Sequence, residues 1–366
     1  MLKKFLDNLF FCVSMNLSSS ILIIFCEKYS IFEQAKKKEI RQMLKKILTI
    51  ALAISLTGSM LFASGSKETS NSGEKVYKVA YIARTQADSF AAWMANAVKA
   101  EAEKYPNIEV SIFDGQASDA IENSMIENAI TNQFDCVIIQ PNNGESQRPY
   151  AEKVVAAGIV CITTNARISG IEGASSVDAD PYEQAAVNAR VALTQVPKNA
   201  NVVVLLGPPG NFHADQRRLS WQKEFFDKRS DVTIVGEQIA NWNKDEAMAH
   251  MEDWVQANDK IDAVISMNDN MCAGALEVVK NDSSYSDILS YGVDGTAEAC
   301  LLIQEGKMTS TSLQNAFELA TNLLATANSL LTGAETQIDM DINCPLINSD
   351  NVGEYIAMYK EVGFIK

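Results

Sequence analysis

The sequence predicts an α/β protein made of two doubly wound parallel-sheet domains joined by a three-segment hinge. Short β-branched runs alternate with longer amphipathic stretches along most of the chain, which is typical of parallel strands covered by helices on both faces. The chain has 366 residues, enough for two packed domains. Its 47% hydrophobic and 21% charged residues are typical of a folded globular protein.

The first lobe is predicted from four strand-like runs, at residues 76–83, 108–114, 136–141 and 159–165. Helical patterns separate these runs. The first of these patterns is clear because apolar side chains recur at a spacing of 3.6 residues, at Phe90, Trp93, Met94, Ala97 and Val98.

A second series of strand-like runs begins after Asp180, at residues 201–207, 232–240, 263–268 and 289–293. We expect the chain to cross between the lobes near Asp180, Gln314 and Asn343. The predicted first lobe is 76–179 with 315–343, and the predicted second lobe is 180–314 with 344–366.

Residues 43–65 have the layout of a signal peptide: two lysines, a short apolar run, then small residues. Ser64 stands where a lipoprotein would carry its lipidated cysteine, so we expect cleavage near Ala63 or Gly65 and no lipid anchor. Residues 66–75 are expected to be a flexible leader. Residues 1–42 are interpreted as a non-native upstream extension, with Met43 as the true start; an extended signal region is the alternative. The mature chain is then a soluble periplasmic protein.

Without residues 1–65 the chain holds 22 Lys and Arg against 42 Asp and Glu, a net charge of about −20. Nucleic acids and anionic lipids both require a basic surface, so this charge disfavours them as partners. It is compatible with a neutral ligand.

Five cysteines remain after cleavage, and their spacing matches neither a metal site nor a small disulfide scaffold. Reduced, buried thiols are expected, although an exported protein could form a disulfide. These cysteines are Cys136, Cys161, Cys272, Cys300 and Cys344.

The motifs of common enzymes are missing, so we expect no catalysis and no cofactor. No G-x-G-x-x-G follows the first strand, and the stretch 207–210 contains two prolines, which remove N–H donors that a phosphate site needs. His213 and His250 are the only histidines, too few for a three-histidine metal site. A G-x-S-x-G nucleophile elbow is absent.

Three motifs follow predicted strands in order: A-x-x-R at 214–217, N-D-x-M-x-x-G-A at 268–275, and G-V-D-G at 292–295. In these motifs the chain resembles the periplasmic sugar-binding proteins of the ribose and glucose/galactose type, over nearly all of residues 76–366. The resemblance implies the type I periplasmic-binding fold and delivery of a monosaccharide, such as glucose or galactose, to the membrane permease of an ABC importer. A polyol, an inositol or an autoinducer-like signal is the alternative ligand. The resemblance also implies a monomer, and a chemoreceptor is a further candidate partner.

A DNA-binding repressor of similar shape is disfavoured because a signal peptide stands where its helix-turn-helix would be.

A monosaccharide offers hydroxyls at its rim and C–H groups on its faces, so its site needs polar planar groups and aromatic rings. Phe90 and Trp242 would cover the two faces, and carboxylates, amides and a guanidinium would bind the hydroxyls. By the resemblance, ligand groups come from both lobes, with Gln314 at a crossover. The predicted binding residues are Asp88, Phe90, Asn165, Asn211, His213, Arg217, Trp242, Asn268, Asp294 and Gln314.

Six of these residues have an alternative structural role. The two aromatic residues could belong to the core, and Asn165 or Asn268 could cap the helix that follows. Asp294 could be a turn residue, and Arg217 could form a surface ion pair.

The chain departs from the glucose/galactose proteins at two places. Asn211 and His213 stand where those proteins carry His and Asp before the arginine, which leaves recognition of one side of the ring open. Their calcium loop has no counterpart here, since 195–199 is short and lacks a carboxylate. Residues 339–343 begin like a calcium loop but lack the glycine of its turn, so we predict no metal site.

Overall fold

Two six-stranded sheets, with helices between most successive strands, build residues 75–365, which are the residues that the computed structural model describes. The predictions for residues 1–42, for the signal peptide and for nearly all of the leader lie outside this range. The prediction of two parallel α/β domains is confirmed.

The first sheet has the strand order β11-β5-β4-β3-β1-β2, and all of its neighbouring strands are parallel. Helix α9 returns from the second lobe to pack on α1. The elements of this lobe are β1 (Tyr77–Ala83), α1 (Ser89–Ala102), β2 (Ile108–Asp114), α2 (Asp119–Thr131), β3 (Cys136–Ile139), α3 (Gly144–Ala156), β4 (Val160–Thr163), β5 (Ala174–Ala179), α9 (Ala316–Thr332) and β11 (Asp339–Ile342).

The second sheet has the order β12-β10-β9-β8-β6-β7, and its edge strand β12 is antiparallel to β10. Its other neighbours are parallel. The elements are α4 (Pro181–Gln195), β6 (Asn201–Leu206), α5 (Phe212–Glu224), β7 (Thr233–Ile239), α6 (Lys244–Ala257), β8 (Ala263–Ser266), α7 (Asp269–Val279), β9 (Leu289–Asp294), α8 (Ala297–Gln304), β10 (Ser310–Leu313), β12 (Leu346–Asn348) and α10 (Val352–Glu361).

The chain passes between the sheets after β5, after β10 and after β11. The first passage is short because Asp180 caps α4 directly after β5: its Oδ1 accepts from Tyr182 N at 2.9 Å. The lobe boundaries given above stay a prediction.

All eight strands expected from β-branched runs are present, with ends within two residues of the predicted ones. The four additional strands are β5, β10, β11 and β12. Residues 339–342, which resemble the start of a calcium loop in sequence, form β11 and pair with β5.

Buried apolar side chains form clusters in each lobe, and one cluster extends across both. Trp93 of α1 packs edge-on against Tyr359 of α10, with 5.5 Å between ring centroids. The two lobes therefore share part of their core.

The five cysteines predicted to be buried are buried, and the structure pairs none of them. Burial raises the pKa of the Cys161, Cys300 and Cys344 thiols to about 12, so these groups are poor nucleophiles at neutral pH.

Within residues 75–365, none of the helices combines the length and the apolar character that crossing a membrane requires.

Candidate functional site

A small cavity lies at the carboxyl ends of the two sheets, where the lobes face each other. In doubly wound sheets ligands bind where the strand order reverses. The order reverses between β1 and β3 in one sheet and between β6 and β8 in the other. The lining side chains are all buried, and they are Arg84, Phe90, Asn165, Asn211, His213, Arg217, Trp242, Asn268, Asp294 and Gln314.

Nine of the ten predicted residues line this cavity; the tenth, Asp88, does not, and Arg84 lines it instead. Asp88 caps α1, since its Oδ1 accepts from Ala91 N at 2.8 Å, and its Oδ2 pairs with the guanidinium of Arg84. Asp88 therefore orients Arg84 from behind the cavity wall.

Phe90 lies in the first turn of α1 and serves both the cavity and the core. Its ring packs edge-on against Trp93, with 5.8 Å between centroids. The core packing fixes the ring at the cavity wall, so the core role and the cavity position are compatible.

Asn165 follows β4, and its Oδ1 accepts from Gln140 Nε2 at 2.7 Å. This bond leaves the Nδ2 group for the cavity. The predicted alternative of helix capping is wrong for Asn165, because the segment after β4 leads to β5 and not to a helix. Asn165 has a φ of 42°, a disfavoured value for a residue other than glycine.

Arg217 lies in α5 with its guanidinium buried, so the alternative of a surface ion pair is wrong. Nε and Nη2 donate to Gln184 Oε1 at 2.9 and 2.7 Å, and Nη1 donates to the backbone oxygen of Met267 at 2.7 Å. Nη2 also reaches Gln314 Oε1 at 3.2 Å. These partners hold the guanidinium in one orientation at the cavity wall.

His213 joins the two lobes, because its Nε2 lies 3.0 and 3.1 Å from the carboxylate oxygens of Asp178 in β5. Its Nδ1 lies 3.3 Å from Arg217 Nη2, which can only donate. Nδ1 therefore accepts, and the proton is on Nε2.

Burial lowers the pKa of His213, although Asp178 opposes this shift, so the imidazole is neutral at pH 7. Burial alone would raise the pKa of Asp178, but contact with His213 and the backbone N–H groups of Arg167 and Ala179 hold it below its ordinary value. The pair is thus an ionised carboxylate and a neutral imidazole.

Asp294 ends β9 with a φ of 120°, directly before Gly295, so it occupies a turn and the cavity wall at once. Its Oδ1 lies 3.7 Å from Arg217 Nη2. Burial raises the pKa of Asp294 well above its ordinary value, and Arg217 opposes the shift. Within residues 75–365 no hydrogen bond reaches this carboxyl group, so it can accept from a ligand.

Trp242 follows β7 with a φ of 62°. Its ring lies against Gly207, where an added Cβ would overlap the indole. The guanidinium carbons of Arg217 and Arg84 lie 5.5 and 6.0 Å from the ring centroid. Trp242 is 4% exposed and belongs to the core cluster of the second lobe, so it also has the core role given as its alternative.

Asn268 caps α7 through its Oδ1, which accepts from Met271 N at 2.9 Å, so the capping role is confirmed for this residue. Gln314 Oε1 accepts from Gln184 Nε2 at 2.5 Å and from Arg217. In the part of the chain that the structure describes, neither Asn268 Nδ2 nor Gln314 Nε2 donates to a protein acceptor. Both amide groups can therefore donate into the cavity.

Sequence reasoning missed Arg84, Gln140, Asp178 and Gln184. Arg84 directly follows β1, so its place at a strand end could have indicated it. Gln140 lies in the predicted strand 136–141, and Asp178 lies in β5, a strand that was not predicted. Gln184 lies inside helix α4. No sequence pattern distinguishes these buried polar residues from surface ones.

The comparisons with known proteins place this architecture in a family. A family model described as a periplasmic binding protein domain matches residues 79–335. The xylitol-binding protein of Mycolicibacterium smegmatis is 26% identical over 250 residues, which are 68% of this chain and 71% of that protein. The ribose import binding protein of Bacillus subtilis is 26% identical over 307 residues, 83% of this chain and 98% of that protein.

Among solved structures, an ABC transporter solute binding protein from Bacillus halodurans C-125 with bound myo-inositol is similar, with a TM-score of 0.71 and 27% identity. The match covers 80% of this chain and 100% of that one. With a family model matched over more than half of its length, and with this fold, the chain belongs to the periplasmic binding protein domain family.

Proposed function

We propose that this chain is the sugar- or polyol-binding component of an ABC-type importer and captures its ligand in the cavity between the lobes. The relatives support this class of ligand, since they are named for binding xylitol and ribose, and one similar structure holds myo-inositol. These relatives are binding proteins, and we assign no catalytic activity to this chain.

The observation that carries the proposal is the composition of the cavity wall. Phe90 from the first lobe and Trp242 from the second supply one aromatic ring each. Such rings pack against the C–H faces of a sugar. Neither lobe alone provides both rings, so full contact requires the lobes to close.

The polar lining suits hydroxyl groups, which both donate and accept. Asn165, Asn268 and Gln314 offer amide N–H groups, as described above. Asp294 offers acceptor oxygens and faces Arg217. A ligand with several hydroxyls can satisfy both kinds of group, whereas an apolar molecule would leave them buried without partners.

The charged groups of the wall favour a neutral ligand. Arg84 is paired with Asp88, and Arg217 lies beside Asp294. Both guanidinium groups thus have a carboxyl group of the protein close by. A further net charge on the ligand would lack a partner in this small, buried site.

Within this class, we propose a pyranose such as glucose or galactose as the ligand. The wall holds one aromatic ring from each lobe, Phe90 and Trp242, which suits the two C–H faces of a single sugar ring. A polyol or inositol is the second candidate, favoured by the xylitol-binding relative and by the myo-inositol-bound structure.

We further propose that the mature chain is a soluble periplasmic monomer, cleaved near Ala63 or Gly65, which hands its ligand to a membrane permease. N-terminal sequencing of the protein from the periplasmic fraction tests the export step. A start near Ser64 or Ser66 supports it, and an acylated, membrane-bound product would contradict it.

Thermal-shift screening of purified protein against monosaccharides, polyols, inositols, amino acids and furanose-like autoinducers tests the ligand class. At a ligand concentration 100 times Kd, the free energy of unfolding should rise by about 2.7 kcal/mol. Stabilisation by a sugar, polyol or inositol is the expected result. Stabilisation by an autoinducer or amino acid alone would overturn the proposal.

A further inference from the structure

We propose that Asn211 does not bind the ligand but is an inter-lobe latch that stabilises the closed form, a role that rests on the proposed capture by closure. Asn211 lines the cavity and precedes α5 in the second lobe. Its side-chain oxygen forms hydrogen bonds within the second lobe, and its side-chain nitrogen forms hydrogen bonds to the first lobe. The latch joins the start of α5 to the loop between β3 and α3 of the first lobe.

The side-chain oxygen of Asn211 accepts hydrogen bonds within its own lobe. Its Oδ1 accepts from the backbone N–H groups of His213 at 3.1 Å and Ala214 at 3.3 Å, which caps α5. These two bonds satisfy both lone pairs of the oxygen. They also fix the side chain so that Nδ2 points away from the helix.

The side-chain nitrogen of Asn211 donates hydrogen bonds across the cleft. Its Nδ2 donates to the backbone oxygens of Asn142 at 3.2 Å and Pro141 at 3.4 Å, in the first lobe. If the amide oxygen and nitrogen were exchanged, the oxygen would face two carbonyl oxygens and neither hydrogen bond could form. With all four of its hydrogen-bonding positions filled, Asn211 has none left for a ligand.

The receiving loop is held by hydrogen bonds within its own lobe, which do not involve the second lobe. Asn142 N donates to Glu122 Oε2 at 3.0 Å, and Asn142 Nδ2 donates to Asp119 Oδ1 at 2.7 Å, both in α2. Because the acceptor oxygens are already positioned, little conformational entropy is lost when Asn211 reaches them.

A backbone contact beside Asn211 completes the latch. Gly144 N donates to the oxygen of Gly210 at 3.2 Å, again between the lobes. Gly210 has a φ of 77°, and a Cβ there would overlap the side chain of Asn143. The two loops can approach this closely because position 210 carries no side chain.

The variant Asn211→Ser separates the latch from the cap. Serine is a good helix cap, so α5 keeps its start, but its hydroxyl is too short to reach the carbonyls of Asn142 and Pro141. Asn243→Ser is the matched control, because Asn243 caps α6 on the exposed surface through Glu246 N at 3.0 Å. Both variants should melt within a few degrees of wild type.

The first measurement is the closed population of the ligand-free protein, from single-molecule FRET between dyes on Glu152→Cys in α3 and Asp253→Cys in α6. Both sites are exposed, whereas the native thiols are buried and have raised pKa values. Asn211→Ser should lower the closed fraction, and Asn243→Ser should not. An unchanged closed fraction in Asn211→Ser would overturn the latch, whatever the ligand is.

The second measurement is ligand binding to the same variants, with D-glucose, D-galactose, D-ribose, xylitol and myo-inositol as probes. Loss of two hydrogen bonds should raise Kd by between about 5- and 150-fold, mainly through faster dissociation. The ratio of Kd values between any two probes should stay constant, and a changed ratio would show that Asn211 contacts the ligand. Failure of every probe with wild type would contradict the proposed function, while the FRET comparison would still decide the latch.

Discussion

Asp294 is the residue whose chemistry tests the cavity most simply, because its carboxyl group is buried and lacks a protein donor among residues 75–365. A ligand hydroxyl would form a buried hydrogen bond with it, and leaving a buried polar group without its partner costs about 1–3 kcal/mol. Asp294→Asn keeps the shape of the side chain and should weaken sugar binding by roughly 5- to 150-fold in calorimetry. The exposed Asp259→Asn is the control. Wild-type affinity in Asp294→Asn would remove this residue from the site.

His213 should make ligand binding depend on pH. The imidazole is surrounded by Asp178 of β5, Arg217 of α5 and Arg167 of the β4–β5 segment. Burial lowers the pKa of His213, so the closed form favours the neutral ring and loses this stabilisation as the pH falls through and below the ordinary value of about 6.5. Protonation would also place an N–H group at Nδ1 against Arg217.

The measurement is ligand affinity at pH 5 and pH 7 for wild type and for His213→Gln, which cannot titrate. The loss of affinity on going from pH 7 to pH 5 should be larger for wild type. Comparing the two proteins at each pH cancels the contributions of other titrating groups, including Asp294. Parallel pH profiles would show that His213 does not couple to closure.

Trp242 calls for a conservative substitution, since its ring belongs to the core of the second lobe as well as to the cavity. Trp242→Ala would remove core packing, at a cost of about 3–5 kcal/mol, and would confuse lost stability with lost binding. Trp242→Phe keeps a ring and should lower the affinity for a sugar with a smaller change in Tm. An affinity equal to wild type would show that the indole does not cover the ligand.

At this scale the sequence was informative where a residue combined an unusual type with a position at a strand end. Asn165 and Trp242 were predicted in this way and Arg217 from its A-x-x-R motif, and all three meet at the cavity. Gln184 could not be predicted, because it lies on a helix and only the folded structure places its amide on Arg217. The roles of Asn211 and His213 depend on inter-lobe contacts, which sequence position does not specify.

Helix α2 and the loop after β3 contain a buried carboxyl group that should affect stability. Glu122 accepts from Asn142 N, and burial raises its pKa to about 8. A folded-state pKa above the unfolded value of about 4.3 means that folding binds a proton, so stability is lost as the pH rises from about 4 to 8. Glu122→Gln removes this titration. The Tm of the variant relative to wild type should therefore increase from pH 5 to pH 8, measured by calorimetry, and a constant difference would contradict the burial argument.

The strands that could be predicted are those made of β-branched residues, because burial on both faces of a parallel sheet favours them. Strands β5 and β10 lack this signal, since they are rich in Ser and Thr whose hydroxyls bond inside the protein. Ser175 Oγ accepts from Ile338 N at 3.0 Å, and Ser310 Oγ donates to Asn188 Oδ1 at 2.6 Å. Their partners come from distant segments, so local sequence could not indicate that these strands are buried.

For the whole molecule, the division of the cavity between two lobes determines how the protein would act. The lobes meet through Asp178 and His213, through the Asn211 latch and through the shared aromatic core around Trp93. A ligand that contacts both Phe90 and Trp242 stabilises the closed form over the open one, which is a hinge closure. Under the proposed function, the closed shape is what a permease would recognise.

Capture between the lobes can be measured by small-angle X-ray scattering of the wild-type protein, with and without a saturating amount of the best ligand from the thermal-shift panel. We predict that the ligand lowers the radius of gyration, because binding joins the two lobes. We predict no such decrease for Asp294→Asn at the same ligand concentration, chosen to saturate wild type only. A ligand that binds wild type in calorimetry but leaves its radius of gyration unchanged would contradict capture between the lobes.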